Sequence, residues 1–133
     1  RLLGRAYCLY GKVKQGRQLA RQLGYPTANV QLEADLLPPF GVYAIRVKIA
    51  DIWRCGIANL GVRPTVETAD AIPSLEVHVF DWSGDLYGQP LEVELGHFIR
   101  PEKKFSSVDD LKNQILEDVQ RASAWVQFHQ WNH

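Results

Sequence analysis

Between Tyr7 and Ile99 the apolar residues of this chain recur in short runs at every second position, and beyond Ser106 they recur at helical spacing instead. That switch limits the fold more than any other feature. Tyr7 to Lys14 alternates and ends in polar residues, and Val42 to Ala50 reads Val-Tyr-Ala-Ile-Arg-Val-Lys-Ile-Ala. Ile52 to Leu60, Leu75 to Phe80 and Leu91 to Ile99 share this β-branched and aromatic character. Turn-prone clusters such as Gly61-Val62-Arg63-Pro64 and Asp81-Trp82-Ser83-Gly84-Asp85 separate the runs. About five or six short strands joined in this way predict a small antiparallel barrel or sandwich.

The tail has the other period. Ser106 and Ser107 are candidate caps, Asp109 and Asp110 lie where the positive end of a helix favours anions, and Val108, Leu111, Ile115, Val119, Ala122 and Val126 form one apolar stripe. The spacing predicts a helix from about Val108 to Gln127 lying on the barrel, with Glu117 and Arg121 as an exposed i,i+4 pair.

At 133 residues and 46% hydrophobic content the chain has the size and composition of one domain spanning residues 1–133. No apolar run approaches the roughly 18 residues needed to span a bilayer, and residues 1 onward lack a basic-then-apolar signal pattern. The expectation is a soluble, cytoplasmic protein with no membrane association. Cys8 and Cys55 sit in separate apolar runs without a C-x-x-C pair, which reads as two buried thiols of a reducing compartment. Fifteen Lys and Arg balance fifteen Asp and Glu, which argues against a general nucleic-acid binder.

The balance hides a segregation. Residues 1–32 carry six bases (Arg1, Arg5, Lys12, Lys14, Arg17, Arg21) and no carboxylate, whereas seven acids and no Lys or Arg lie between Arg63 and Arg100. Two such segments suit a site that holds an anion together with a metal. At the end of the basic segment comes Leu23-Gly24-Tyr25-Pro26-Thr27-Ala28-Asn29. Pro26 fixes its own φ and biases Tyr25 toward extended geometry, so the Thr27 hydroxyl and Asn29 carboxamide leave a stiffened backbone in a defined direction. An isolated P-T-x-N is more often a capped turn. Pro64-Thr65, which has no asparagine two residues on, reads as turn punctuation alone.

Gly16 and Gly24 permit close backbone approach to an anion, with Lys12, Lys14, Arg17 and Arg21 nearby, but no G-x-x-x-x-G-K-[ST] loop exists, which argues against a P-loop enzyme. In Ser74-Leu75-Glu76-Val77-His78-Val79-Phe80, Leu75, Val77 and Val79 point one way and Glu76, His78 and Phe80 the other. A carboxylate there is either solvent-facing or, where its face lines a cavity, a candidate general base. The four histidines show no metal-ligand spacing. Asp85-Leu86-Tyr87-Gly88 and Ile99-Arg100-Pro101-Glu102-Lys103-Lys104-Phe105 are connections whose aromatic and guanidinium groups suit sandwiching a planar ring.

Taken in order, these stretches resemble riboflavin kinase, specifically the kinase module of bacterial bifunctional riboflavin kinase/FMN adenylyltransferase. Leu3-Gly4-Arg5-Ala6-Tyr7, Gly11-Lys12-Val13, the Pro26-Thr27-Ala28-Asn29 stretch, Gly41-Val42-Tyr43-Ala44 and Asn59-Leu60-Gly61-Val62-Arg63-Pro64-Thr65 carry it, followed by Leu75-Glu76-Val77-His78 and the two connections above. The resemblance implies a six-stranded antiparallel Greek-key β-barrel with a C-terminal helix, transferring the γ-phosphoryl of ATP to the 5′-hydroxyl of riboflavin to give FMN and ADP. It implies Thr27 and Asn29 as ligands of Mg²⁺ and of the nucleotide phosphates, Lys14, Gly16, Arg21 and Gly24 as further phosphate contacts, and Glu76 as the base. Asp85, Leu86, Tyr87, Arg100, Glu102 and Phe105 would meet the flavin. Ala20 stands before Arg21 where the family often has glycine, and Ala6 where proline is common. The resemblance further implies fusion to an FMN adenylyltransferase domain in the native protein, a domain with no counterpart signature in this sequence. The competing readings are a flavin- or nucleotide-binding barrel without turnover and a barrel used only for protein contact.

Overall fold

The computed structural model describes residues 7–14, 27–32, 37–64, 71–82 and 84–129. In chain order these form β1 (Tyr7–Lys14), β2 (Ala28–Leu32), β3 (Gly41–Ile49), β4 (Ile52–Pro64), β5 (Ala71–Val79), β6 (Pro90–Pro101) and α1 (Val108–Phe128). The strands close into an antiparallel barrel in the order β1-β2-β5-β4-β3-β6. β3, β4 and β5 form a meander flanked by β2 and β6, so the connections from β2 to β3 and from β5 to β6 skip strands, the pattern of a Greek key.

Alternation decides which side chains fill the barrel. Leu9, Val13, Val30, Leu32, Ile45, Val47, Leu60, Leu75, Val77, Val93 and Leu95 all turn inward and are buried. Each such side chain contributes roughly 1.5–3 kcal/mol on leaving water. β3 is apolar on both faces near its start because a second cluster, Val42, Ala44, Ile57, Ile99 and Ala122, lies outside the barrel beneath α1. Register shifts between β3 and β6 at Val42/Tyr43 and Ala44/Ile45 let Ile99 and Arg100 both engage the helix.

Two elements differ from the sequence reading. Ala28–Leu32 is a strand rather than a stiffened turn, a five-residue run whose inward residues Val30 and Leu32 are too few to announce a period. β4 runs for 13 residues through Gly61-Val62-Arg63-Pro64, and its pairing with β5 extends to Pro64 opposite Ala71. Proline is tolerated there because it ends the strand.

The helix begins at the expected residue, with Ser107 accepting a hydrogen bond from the Asp110 amide at 3.1 Å and Asp109 and Asp110 in the first turn. Its buried stripe is Asp118, Ala122 and Val126, whereas Val108 is exposed. Leu111, Ile115 and Val119 of the expected stripe are half-buried, Val119 against the cluster beneath the helix, and Asp118 is buried beside them because it meets Arg100. Arg100 Nε donates to both carboxylate oxygens, at 2.9 and 3.0 Å, and Nη2 donates to Oδ2 at 2.7 Å. Gln114 Nε2 adds a further donor to Asp118 at 2.9 Å. Glu117 and Arg121 lie 3.9 Å apart at the surface, and Arg121 also donates to the Ile99 carbonyl.

Cys8 and Cys55 are free, half-buried and outward-facing rather than core residues. The register runs Cys8, Glu94, Arg46, Cys55 across β1, β6, β3 and β4, three inter-strand steps of about 4.8 Å each, beyond disulfide reach. Burial raises the Cys8 thiol pKa, with Glu94 and Glu92 adding to it and Arg46 opposing. Burial likewise raises Cys55, again against Arg46. Both thiols therefore stay protonated and unreactive near neutral pH.

A two-residue hairpin, Ala50-Asp51, joins β3 to β4, and both residues have positive φ, 51° and 66°. This is the backbone that Asn-Gly adopts most readily, while an ordinary L-residue is strained by roughly 1–2 kcal/mol there. The double substitution Ala50→Asn and Asp51→Gly is expected to raise the thermal midpoint by about 3 °C, corresponding to about 1 kcal/mol, measured by differential scanning calorimetry.

Candidate active site

The functional candidates meet in one register row. Lys14 of β1 pairs with Asn29 of β2, Asn29 with Glu76 of β5, and Glu76 with Asn59 of β4. The neighbours of these residues, Val13, Val30, Leu75, Val77, Ala58 and Leu60, fill the core, so alternation turns the row outward. Directly opposite residues have Cβ atoms about 4.5–5.5 Å apart, which puts the four side chains side by side on one outer face.

Glu76 thus stands between two carboxamides. Asn29 is 9% exposed, and its Oδ1 is buried with no hydrogen-bond partner among the described residues. A buried carbonyl oxygen in that condition costs about 1–3 kcal/mol, which a cation can relieve. Thr27, half-buried, lies one residue beyond the Ala28–Val77 pair and alternates onto the face of Asn29. A hydroxyl and an amide oxygen are the hard ligands Mg²⁺ takes, so the chemistry and the unsatisfied oxygen both fit that ion. Gly16, Arg21 and Gly24 lie outside the described residues.

The Asp85–Gly88 turn is fastened one residue from Lys14. Gly88 donates to the Val13 carbonyl, and the Val13 amide donates to Gln89 O, both at 2.9 Å. Asp85 Oδ1 accepts the Tyr87 amide at 3.0 Å, and Gly88 takes the positive φ of 82° that the turn requires. Leu86 is a core side chain and leaves only its backbone for a ligand, whereas Tyr87 is 61% exposed.

At the other end of the row, Val42 follows Asn59 and Arg100 follows Val42. The Arg100 guanidinium is committed to Asp118, donates through Nη1 to Pro101 O at 3.0 Å, and lies 5.7 Å from the Phe105 ring centroid. Lys103 approaches the same ring at 5.7 Å. Arg100 and Phe105 therefore meet each other rather than presenting two open faces. Glu102 reaches back over β4, against Gly61. The two connections accordingly lie toward opposite ends of the row that holds Asn29 and Glu76. An open cleft of about 520 Å³ lined by Tyr10, Lys12, Lys48, Asp51, Pro90 and Glu92 does not include Thr27, Asn29 or Glu76.

Sequence reasoning missed Asn59, Gly61 and Asp118. Asn59 shows as outward-facing once Ala58 and Leu60 are inward, but which carboxylate it faces depends on the β4–β5 register, which no local pattern fixes.

Comparison with known proteins bears on this site. The family described as Flavokinase: Riboflavin kinase is matched over residues 3–126. The bifunctional riboflavin kinase/FMN adenylyltransferase of Haemophilus influenzae is 47% identical over 126 residues, which cover 93% of this chain and 40% of that protein. Among solved structures, a Streptococcus pneumoniae chain named macrolide-efflux protein is 36% identical with a TM-score of 0.76, over 88% of this chain and 38% of that one. Riboflavin kinase from Trypanosoma brucei, at 24% identity and a TM-score of 0.61 over 94% of this chain and 82% of its own, shares the fold. The chain spans about 40% of the length of the first curated relatives it matches. With the match running from β1 into α1 and taking in every residue of the Lys14–Asn29–Glu76–Asn59 row, the chain belongs to the riboflavin kinase family.

Proposed function

We propose that this chain is a single kinase domain that transfers the γ-phosphoryl group of ATP to the ribityl 5′-hydroxyl of riboflavin, giving FMN and ADP. The observation that carries the reading is the direct cross-strand pairing of Asn29 with Glu76 on the outer face of a barrel of this family. Thr27 and Asn29 would hold Mg²⁺, and Lys14, with Gly16, Arg21 and Gly24 of the preceding segment, the phosphates. Held by these residues, Mg²⁺ would supply neutralisation of the phosphate oxygens beside the Glu76 carboxylate.

Glu76 does the proton chemistry. Its carboxylate accepts the proton of the 5′-hydroxyl as that oxygen bonds to Pγ; the bond from Pγ to the bridging oxygen breaks, ADP leaves with the electron pair, and the proton passes on to solvent. The chain's own contribution is alignment: the hydrogen-bonded wall of the barrel fixes the base beside the phosphate ligands, and positioning together with electrostatic stabilisation accounts for most of the rate in such transfers. Asp85, the Leu86 backbone, Tyr87, Arg100, Glu102 and Phe105 would meet the flavin from the connections at the two ends of the row. The adenylyltransferase activity in the relatives' names belongs to a separate domain fused to this one in the native protein, and the place of action is the cytoplasm.

Incubation with riboflavin, ATP and Mg²⁺, followed by chromatographic separation of the flavins, tests the reading. FMN alone is expected, and chelation of the divalent ion is expected to stop its formation. FAD among the products would contradict the single-activity assignment, and absence of FMN would remove the kinase.

A further inference from the structure

The segment leaving β6 folds back over the barrel face that carries Glu76. Pro101 pairs with Gly41 at the start of β3, and the Glu102 side chain then lies across Gly61 of β4. A β-carbon on Gly61 would overlap the Glu102 carboxylate, lying 2.9 Å from its carbon and 3.3 Å from Oε1. Gly61 is buried even though its missing side chain would point out of the barrel. Two residues along the same face, about 7 Å away at the rise of a strand, is Asn59, the partner of Glu76.

Among the described residues the Glu102 carboxylate accepts no hydrogen bond and makes no ion pair. It is an acceptor-only group beside the row, and Gly61 is what lets it lie that low. We propose that Gly61 is a positioning residue for riboflavin: its bare α-carbon seats the Glu102 carboxylate flat on β4, where it accepts a hydrogen bond from an N–H or O–H donor of the flavin. The inference rests on the kinase reading above and assigns Gly61 a role within that site.

Gly61 has no positive φ, so alanine fits its backbone, and only the flexible end of Glu102 has to move. Gly61→Ala is therefore expected to raise the KM for riboflavin about tenfold, the effect of losing one hydrogen bond to a charged group, with the KM for ATP and kcat within twofold and the thermal midpoint within about 2 °C. Glu102→Ala is expected to raise the riboflavin KM to the same degree, and the double variant no further, since the two act through one contact. An unchanged riboflavin KM in Gly61→Ala, additive effects in the double variant, or a fall in midpoint with both KM values altered would each overturn the proposal. If the wild type made no FMN, the kinase reading would fail. The seat would then be judged on riboflavin binding alone, by quenching of flavin fluorescence, where the same tenfold weakening supports it and equal affinities overturn it.

Discussion

Replacing Glu76 by glutamine is expected to lower kcat about a thousandfold while nucleotide binding and thermal midpoint stay near wild type, since a positioned general base contributes 10²–10⁴-fold. Glutamine keeps the length and planarity of the side chain and its place in the ladder between Asn29 and Asn59. What it loses is the capacity to take a proton. The split is diagnostic: ATP affinity by calorimetry reports on the Thr27–Asn29 side of the row, and single-turnover FMN formation reports on the proton acceptor. Turnover within tenfold of wild type would remove Glu76 as the base and leave a carboxylate whose role is electrostatic. It would also favour the alternative of a barrel that holds flavin and nucleotide without reacting them.

Asp118→Ala is expected to be the most damaging single change to stability. Asp118 is 2% exposed and accepts three hydrogen bonds from Arg100 and one from Gln114. Its removal leaves a mostly buried guanidinium without its anion, a circumstance that costs 3–5 kcal/mol, against a total stability of roughly 5–15 kcal/mol for a domain. For a chain of this size the midpoint should fall on the order of 10 °C, read by urea and thermal unfolding. The converse is part of the same expectation. Replacing Arg100 and Asp118 together by methionine and leucine should recover most of the loss, because a buried ion pair and a packed apolar pair of similar volume are close in free energy. If Asp118→Ala cost less than about 1 kcal/mol, the bidentate pair would be no more than a surface contact. The change also bears on the site, since Arg100 begins the segment that places Glu102 on Gly61.

The sequence made the barrel and the helix legible because burial writes a period wherever an element is long. β3, with Tyr43, Ile45, Val47 and Ile49 turned inward, announces itself; β2, with only Val30 and Leu32 buried on the same side, does not. The helix start was readable from Ser107 and the acids behind it, and so was most of its inward face; the burial of Asp118 was not, because a charged residue in an apolar stripe is explained only by a partner 18 positions away. The candidate site divides the same way. Asn29 and Glu76 carry chemistry that a reader of residue types can pick out, but their adjacency is a matter of strand register, which joins residues 47 positions apart. Gly61 illustrates the limit: within Asn59-Leu60-Gly61-Val62-Arg63-Pro64 it looks like the start of a turn, and only the fold shows it to be the floor beneath another side chain.

The closed order of strands has a consequence for how this chain behaves when concentrated. With a formal net charge of zero, electrostatic repulsion does little to keep copies apart, a condition that ordinarily favours precipitation. Yet among the described residues every strand of the barrel is bonded to a neighbour on both flanks along part of its length, so no strand is an edge from end to end for a second molecule to zip onto. Circular hydrogen bonding therefore guards against edge-to-edge association, and a lesion that parted the β1–β2 seam, only four residue pairs long, is expected to expose two strand edges at once.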